Sequence, residues 1–169
     1  MCGVVGLIFN NDQDDLGNYA SNLLKSLEYR GYDSTGAAVY NEKNDEITLL
    51  KDVGAPSVLV EELGISKLKG KIFCGQVRWA TFGAVDKYNA QPHLVDCKTK
   101  IFGAHNGNIT NTIQLKNWLQ REGHKILSDN DGEMLVHTIE HFFQLELSKH
   151  EDQNNFKIRI QSMREAILK

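Results

Sequence analysis

From Cys2 to Phe9 the chain is apolar at every position but its two glycines, and the polar run Asn10-Asn11-Asp12 ends the segment. It is too short for a lone helix and is interrupted by Gly3 and Gly6, so it predicts a strand buried on both faces. Leu16, Tyr19, Ala20, Leu23, Leu24 and Leu27 recur at three- and four-residue intervals, the stripe of an amphipathic helix that Gly31 can end. Thr35 to Tyr40 and Glu46 to Lys51 predict two strands, and the polar connection 41–45 between them has hairpin length. A short helix is expected after Pro56. Lys71 to Ala80 and Lys100 to His105 are further strands, separated by a long irregular stretch that holds Gly83, Asp86 and Pro92. Loops of that length tend to carry function.

Thr112 to Glu122 reads as a helix entered from Asn111 and closed by Gly123. Gly132 to Leu145 reads as another, with Met134, Leu135, Ile139 and Phe142 on one side. After a charged linker over 150–155, Phe156, Ile160, Met163 and Ile167 continue a helical stripe to the last residue. That uncapped stripe predicts a chain cut short at its C-terminus, with an apolar face that wants a partner surface. There is no internal repeat and no low-complexity segment. Periodicity alone therefore gives mixed strands and helices in one layered domain.

Composition narrows the function classes. The 169 residues suffice for one domain with a sizeable core, and 41% hydrophobic and 24% charged residues with two prolines exclude disorder as the default. The net charge of −3 comes with scattered basic residues, which argues against a nucleic-acid partner. The apolar N-terminal run lacks a preceding basic region and is far too short to span a membrane. Three cysteines at wide spacing (Cys2, Cys74, Cys97) do not make a disulfide framework and fit a reducing, cytoplasmic compartment.

One of the three is placed for chemistry. In Met1-Cys2-Gly3 a small residue follows the initiator methionine, so aminopeptidase trimming would make Cys2 the first residue, with thiol and α-amine on one residue. The amine pKa is about 7.7–8.0 and the thiol pKa about 8.5, so the free amine can take the thiol proton at neutral pH. The tripeptide alone reads more readily as a small buried residue opening a strand. Four further segments change that balance: Glu28-Tyr29-Arg30-Gly31-Tyr32-Asp33-Ser34-Thr35-Gly36, Arg78-Trp79-Ala80-Thr81, His105-Asn106-Gly107-Asn108 and Ser128-Asp129-Asn130-Asp131. Attack on an amide builds an oxyanion, which needs fixed donors such as the Asn106 amide and a backbone N–H beside Gly107. A free amino-acid substrate would also present an α-carboxylate and an α-ammonium, which call for an arginine fork and an acidic partner such as Arg78 and Asp131.

With Cys2-Gly3-Val4-Val5-Gly6, these segments resemble the class II glutamine amidotransferases, in the family's order and from Cys2 to about Phe142. The wording Leu27-Glu28-Tyr29-Arg30-Gly31-Tyr32-Asp33-Ser34 is most similar to the glutaminase domains of the fructose-6-phosphate branch. It and Trp79 speak against the phosphoribosyl-pyrophosphate and asparagine synthetase branches. A non-catalytic glutamine-sensing module is the alternative of a different class.

The resemblance implies an α+β fold, the four-layer αββα sandwich of N-terminal nucleophile hydrolases. It makes residues 1–169 one glutamine amidotransferase domain, incomplete at its C-terminus and without the sugar-phosphate isomerase domain that follows in the family. It implies Cys2 as nucleophile, Asn106 and Gly107 as the oxyanion hole, and Arg78 and Asp131 on the substrate carboxylate and ammonium. Trp79 and Thr81 form the pocket wall and loop, and Arg30 supports the site. L-glutamine is the implied substrate, a homodimer is allowed, and no metal or organic cofactor is implied. The sequence departs from the branch at Phe82 and Gln91, each of which stands where a histidine is usual, so the loop over the pocket is expected to behave differently. Two further motifs carry no comparable signal. His137 and His141 share a helix face but lack both the glutamate of a zinc-protease helix and a clear third ligand. Asn108-Ile109-Thr110 matches a glycosylation acceptor, which has no use in a cytoplasmic chain.

Overall fold

A computed structural model describes residues 1–81 and 83–169. Its main element is a four-stranded antiparallel sheet with the order β1-β4-β2-β3, formed by β1 (Gly3–Gln13), β2 (Ser34–Asn41), β3 (Glu46–Val53) and β4 (Gly70–Arg78). β2 and β3 make the expected hairpin, paired from Ser34–Val53 to Asn41–Glu46. A second, two-stranded sheet joins β5 (His93–Val95) to β6 (Ile101–Gly103). The helices are α1 (Leu16–Ser26), α2 (Pro56–Glu62), α3 (Thr112–Arg121), α4 (Asp131–Leu147) and α5 (Phe156–Ile167).

α1 and α2 cover one face of the large sheet. Leu16, Ala20 and Leu24 of α1 and Val60 of α2 meet Ala37, Val39, Phe73 and Val77 of the strands, all buried, with Val5, Leu7 and Phe9 completing the layer. The other face meets the small sheet and its leading loop. Gly36 shows how closely: a Cβ there would lie 2.2 Å from the Gln91 carbonyl oxygen, a contact only glycine permits. Beyond the small sheet lie α4 and α5, so helices, sheet, sheet and helices stack in the order of an αββα sandwich.

Three expectations need correction. β1 lies at the edge of the sheet and is covered on one face only: Val5, Leu7 and Phe9 point inward while Val4 is 40% and Ile8 80% exposed. Its unbroken apolar run hides the alternation that an edge strand normally shows. On α4 the residues buried most completely include Glu133, His137, Glu140 and His141, whereas Leu135, Ile139 and Phe142 are only partly covered. On α5 the inward face is Ile158, Ser162, Met163 and Ala166 against Phe143 and Leu147, while Phe156, Ile160 and Ile167 stay exposed. Polar side chains fill these interfaces, and a hydrophobic stripe does not report them. No described helix is long and apolar enough to cross a membrane.

Candidate active site

Cys2 stands immediately before β1, and β1 pairs antiparallel with β4 in a register that sets Gly3 opposite Val77. The residues that leave β4 therefore arrive beside Cys2. The Trp79 N–H donates to Cys2 Sγ at 3.4 Å, and Sγ lies 3.5 Å from the Trp79 carbonyl oxygen. The Cys2 carbonyl oxygen accepts from Arg30 Nε and from Asn106 Nδ2, both at 3.0 Å. Arg30 comes from the turn after α1, which is drawn against the end of β4 at Gly31: a Cβ there would sit 2.5 Å from the Arg78 carbonyl carbon. The peptide nitrogen of Cys2 is acylated by Met1, which is exposed.

The cleft above this thiol is lined by Cys2, Arg78, Trp79, Thr81, Gly107 and Asp131, together with Gln91, His105 and Asn130. Six of the expected site residues thus come together from separate stretches of sequence. Asn106 stands beside them through its bond to Cys2, and Arg30 holds the same carbonyl from behind. Arg78 is almost fully buried, and its guanidinium donates to the Ala84 oxygen at 2.9 Å and the Gly83 oxygen at 3.4 Å, holding the loop after β4. The Asn106 amide has two N–H donors, and its bond to Cys2 uses one. Phe82 lies outside the described residues.

Asp131 opens α4. Asn130 caps the helix, its Oδ1 accepting from the Gly132 N–H at 2.9 Å, and Asp131 Oδ2 accepts from the Ile109 N–H at 2.9 Å. That bond ties the helix start to the segment just past Asn106 and Gly107. His105 Nδ1 is buried without a hydrogen-bond partner, 3.7 Å from Asp131 Oδ2.

Sequence reading treated Gln91 only as a lost histidine, and the structure gives it a clamping position. The His105 N–H donates to Gln91 Oε1 at 2.7 Å, and Gln91 Nε2 donates to the His105 carbonyl at 3.2 Å, where Gln76 Nε2 also donates at 3.0 Å. A buried primary amide paired with one backbone residue in this way fixes the strand end that leads into Asn106 and Gly107. Asp33, in the turn segment that carries Arg30, ties that turn to the end of β4: its Oδ2 accepts from the Ala80 N–H at 2.8 Å and its own N–H donates to the Arg78 carbonyl at 3.0 Å. Neither role has a sequence signal beyond proximity to Pro92 and Gly31.

A family model described as a glutamine amidotransferase domain matches residues 78–156. Two curated relatives carry the name glutamine–fructose-6-phosphate aminotransferase (isomerizing). The one from Sulfolobus acidocaldarius is 40% identical over 85% of this chain and 24% of its own length. The one from Pyrococcus horikoshii is 42% identical over 83% of this chain and 22% of its own. The chain spans about a quarter of the length of the curated relatives it matches. Among solved structures, the allosteric regulatory enzyme of purine biosynthesis superposes with a TM-score of 0.72 at 25% identity, over 99% of this chain and 32% of its own. The glutamine phosphoribosylpyrophosphate amidotransferase from B. subtilis follows with 0.66 at 25% identity, over the same shares.

Proposed function

The chain belongs to the class II glutamine amidotransferases, and from that premise we propose that residues 1–169 form one glutaminase domain that releases ammonia from L-glutamine. The observation that carries the reading is the position of Cys2 Sγ, set against the Trp79 backbone at the floor of a cleft shared with Arg78, Gly107 and Asp131.

Removal of Met1 frees the Cys2 α-amine, which takes the thiol proton as Sγ attacks the side-chain carbonyl carbon of glutamine. The C–O π electrons move to oxygen, and the oxyanion is held by the Asn106 amide and the Gly107 backbone N–H. The α-ammonium returns the proton to the leaving nitrogen, the C–N bond breaks, and ammonia departs from a γ-glutamyl thioester. A water, deprotonated by the same amine, then releases glutamate and restores the thiol. Arg78 receives the substrate α-carboxylate and Asp131 its α-ammonium, with Trp79 and Thr81 walling the pocket. Arg30 keeps the Cys2 carbonyl in place. The names of the relatives support fructose 6-phosphate as the ammonia acceptor in a longer enzyme with an isomerase activity; a cytoplasmic location and a homodimer belong to the same proposal.

Intact-mass measurement with the glutamine analogue 6-diazo-5-oxo-norleucine tests the reading. Loss of Met1 and one adduct mapped to Cys2, absent in Cys2→Ala, are expected alongside glutamate release from glutamine. A chain that lacks Met1 yet takes no adduct and releases no glutamate would instead be a non-catalytic glutamine-binding module.

A further inference from the structure

On the buried face of α4, away from the cleft, four side chains converge. Glu140, His137 and His124 are each at most 4% exposed, and Cys97 reaches them from the exposed connection between β5 and β6. Glu140 Oε1 accepts the backbone N–H groups of Cys97 and Lys98 at 2.7 Å and Thr99 at 3.0 Å. With that oxygen occupied, Oε2 stands 3.2 Å from His124 Nδ1 and 3.3 Å from His137 Nδ1. The two Nδ1 atoms are 3.1 Å apart, and Cys97 Sγ is 4.0 Å from His137 Nδ1. One ligand atom from each of the four residues lies within 4.8 Å of all the others.

Hydrogen accounting leaves few protons at the centre of this group: with one ring proton inward and one outward, a single N–H on His124 Nδ1 is shared between Glu140 Oε2 and His137 Nδ1, and the two matched arrangements are worse. A neutral imidazole carries one N–H. The outer nitrogens face partners of their own, His124 Nε2 at 3.1 Å from His141 Nδ1 and His137 Nε2 at 3.7 Å from Glu133 Oε1. With the protons there, both Nδ1 lone pairs and a carboxylate oxygen face one another with no hydrogen between them. The sulfur already accepts the Lys125 N–H at 3.3 Å. With the protons on Nδ1 instead, two N–H groups crowd one oxygen and the His137 Nε2 lone pair faces a carboxylate. A cation at the centre satisfies all four donors. Zinc bonds of about 2.0–2.1 Å to nitrogen and oxygen and about 2.3 Å to sulfur put tetrahedral edges at roughly 3.3–3.6 Å, close to the 3.1–3.3 Å that separate the two nitrogens and the oxygen, while Cys97 Sγ, 4.0 Å from His137 Nδ1, has to move inward to bind. Glu133, His141 and the three backbone N–H groups then serve as the partners that orient ligands around such an ion.

We propose that Cys97, His124, His137 and Glu140 bind one zinc ion. A set of two imidazoles, a thiolate and a carboxylate suits zinc, and four protein ligands leave no open position, so the ion is structural. It ties the β5–β6 connection and the segment between α3 and α4 to the middle of α4. Those elements lead into Asn106–Gly107 and Asp131, so the ion braces one wall of the cleft from outside. An opening lined by Asp96, Cys97, Lys125 and His137 lets it enter.

The full chain, purified without chelator, is expected to carry about one zinc per molecule by elemental analysis. After stripping, Co²⁺ should give a sulfur-to-cobalt charge-transfer band in the near ultraviolet with tetrahedral bands in the visible. Zinc at about 1,000 times its Kd should raise Tm by about 8 °C or more. Cys97→Ser changes an exposed side chain, so the fold survives by circular dichroism, and it should lose the charge-transfer band and at least ~10-fold in zinc affinity. His150→Gln should behave as the parent. A metal-free chain whose stripped form shows neither band nor Tm shift overturns the proposal. So does a charge-transfer band that persists in Cys97→Ser.

Discussion

The two interiors on either side of the four-stranded sheet are made of different material. Toward α1 and α2 the buried cluster is leucine, alanine, valine, isoleucine and phenylalanine, and the buried Ser21 hydroxyl bonds back to its own helix. Toward α4 they include His93, His124, Glu133, His137, Glu140 and His141. The first layer is held by apolar area removed from water, which tolerates small rearrangements. The second depends on hydrogen bonds, because an unpaired buried polar group costs about 1–3 kcal/mol, more than the ~1 kcal/mol that the bond contributes when made. The apolar layer supports the strands, and the polar layer positions Asn106, Gly107 and Asp131.

The comparison can be broken at several points. Phe73→Ala, at the centre of the apolar layer, should cost about 3–5 kcal/mol by urea denaturation. A loss under about 1 kcal/mol would show that this layer does not carry the fold. In the polar layer, Glu140→Gln keeps the shape but removes the charge that three backbone N–H groups share. In chelator-stripped protein it should cost about 1.5–3 kcal/mol, and a neutral outcome would make the network dispensable.

Acid separates the layers as well. Burial, with the Lys51 ammonium nearby, pushes the His93 imidazole down to about 3, against the opposing pull of Glu133 and the Asn130 hydrogen bond. The unfolded chain takes up this proton near pH 6.5 and the folded chain does not. Titration of His93 therefore has no effect on stability above pH 6.5, and stability falls as pH drops from there toward 3, by roughly 1.4 kcal/mol per pH unit. Urea midpoints measured across that window should show the slope in the parent and a shallower one in His93→Gln. The smallest effect is expected outside both layers. Lys25→Met breaks an exposed 3.4 Å ion pair with Glu61 and should change stability by under about 0.5 kcal/mol.

The same contrast explains what was legible in the sequence. Leu16, Ala20 and Leu24 announced α1 because apolar burial leaves a periodic mark, and the β2–β3 hairpin announced itself by its polar loop. β5 has three residues and no alternation to read. The buried face of α4 was misassigned because histidine and glutamate score as surface residues whatever they do. The proposed site residues were legible as motifs, and six of them line one cleft. What joins Cys2 to a residue 77 positions away is strand register, which no local pattern encodes. The Gln91 clamp was hidden for a related reason: its partners are backbone atoms of His105, and backbone atoms look alike in every sequence.

The pairing of β1 with β4 also has a consequence at the bench. Since Gly3 lies opposite Val77, anything fused ahead of Met1 begins at the mouth of the cleft. An affinity tag belongs at the other end of the chain, or behind a protease site whose cut leaves cysteine first, because extra residues ahead of Cys2 would occupy the space over its thiol.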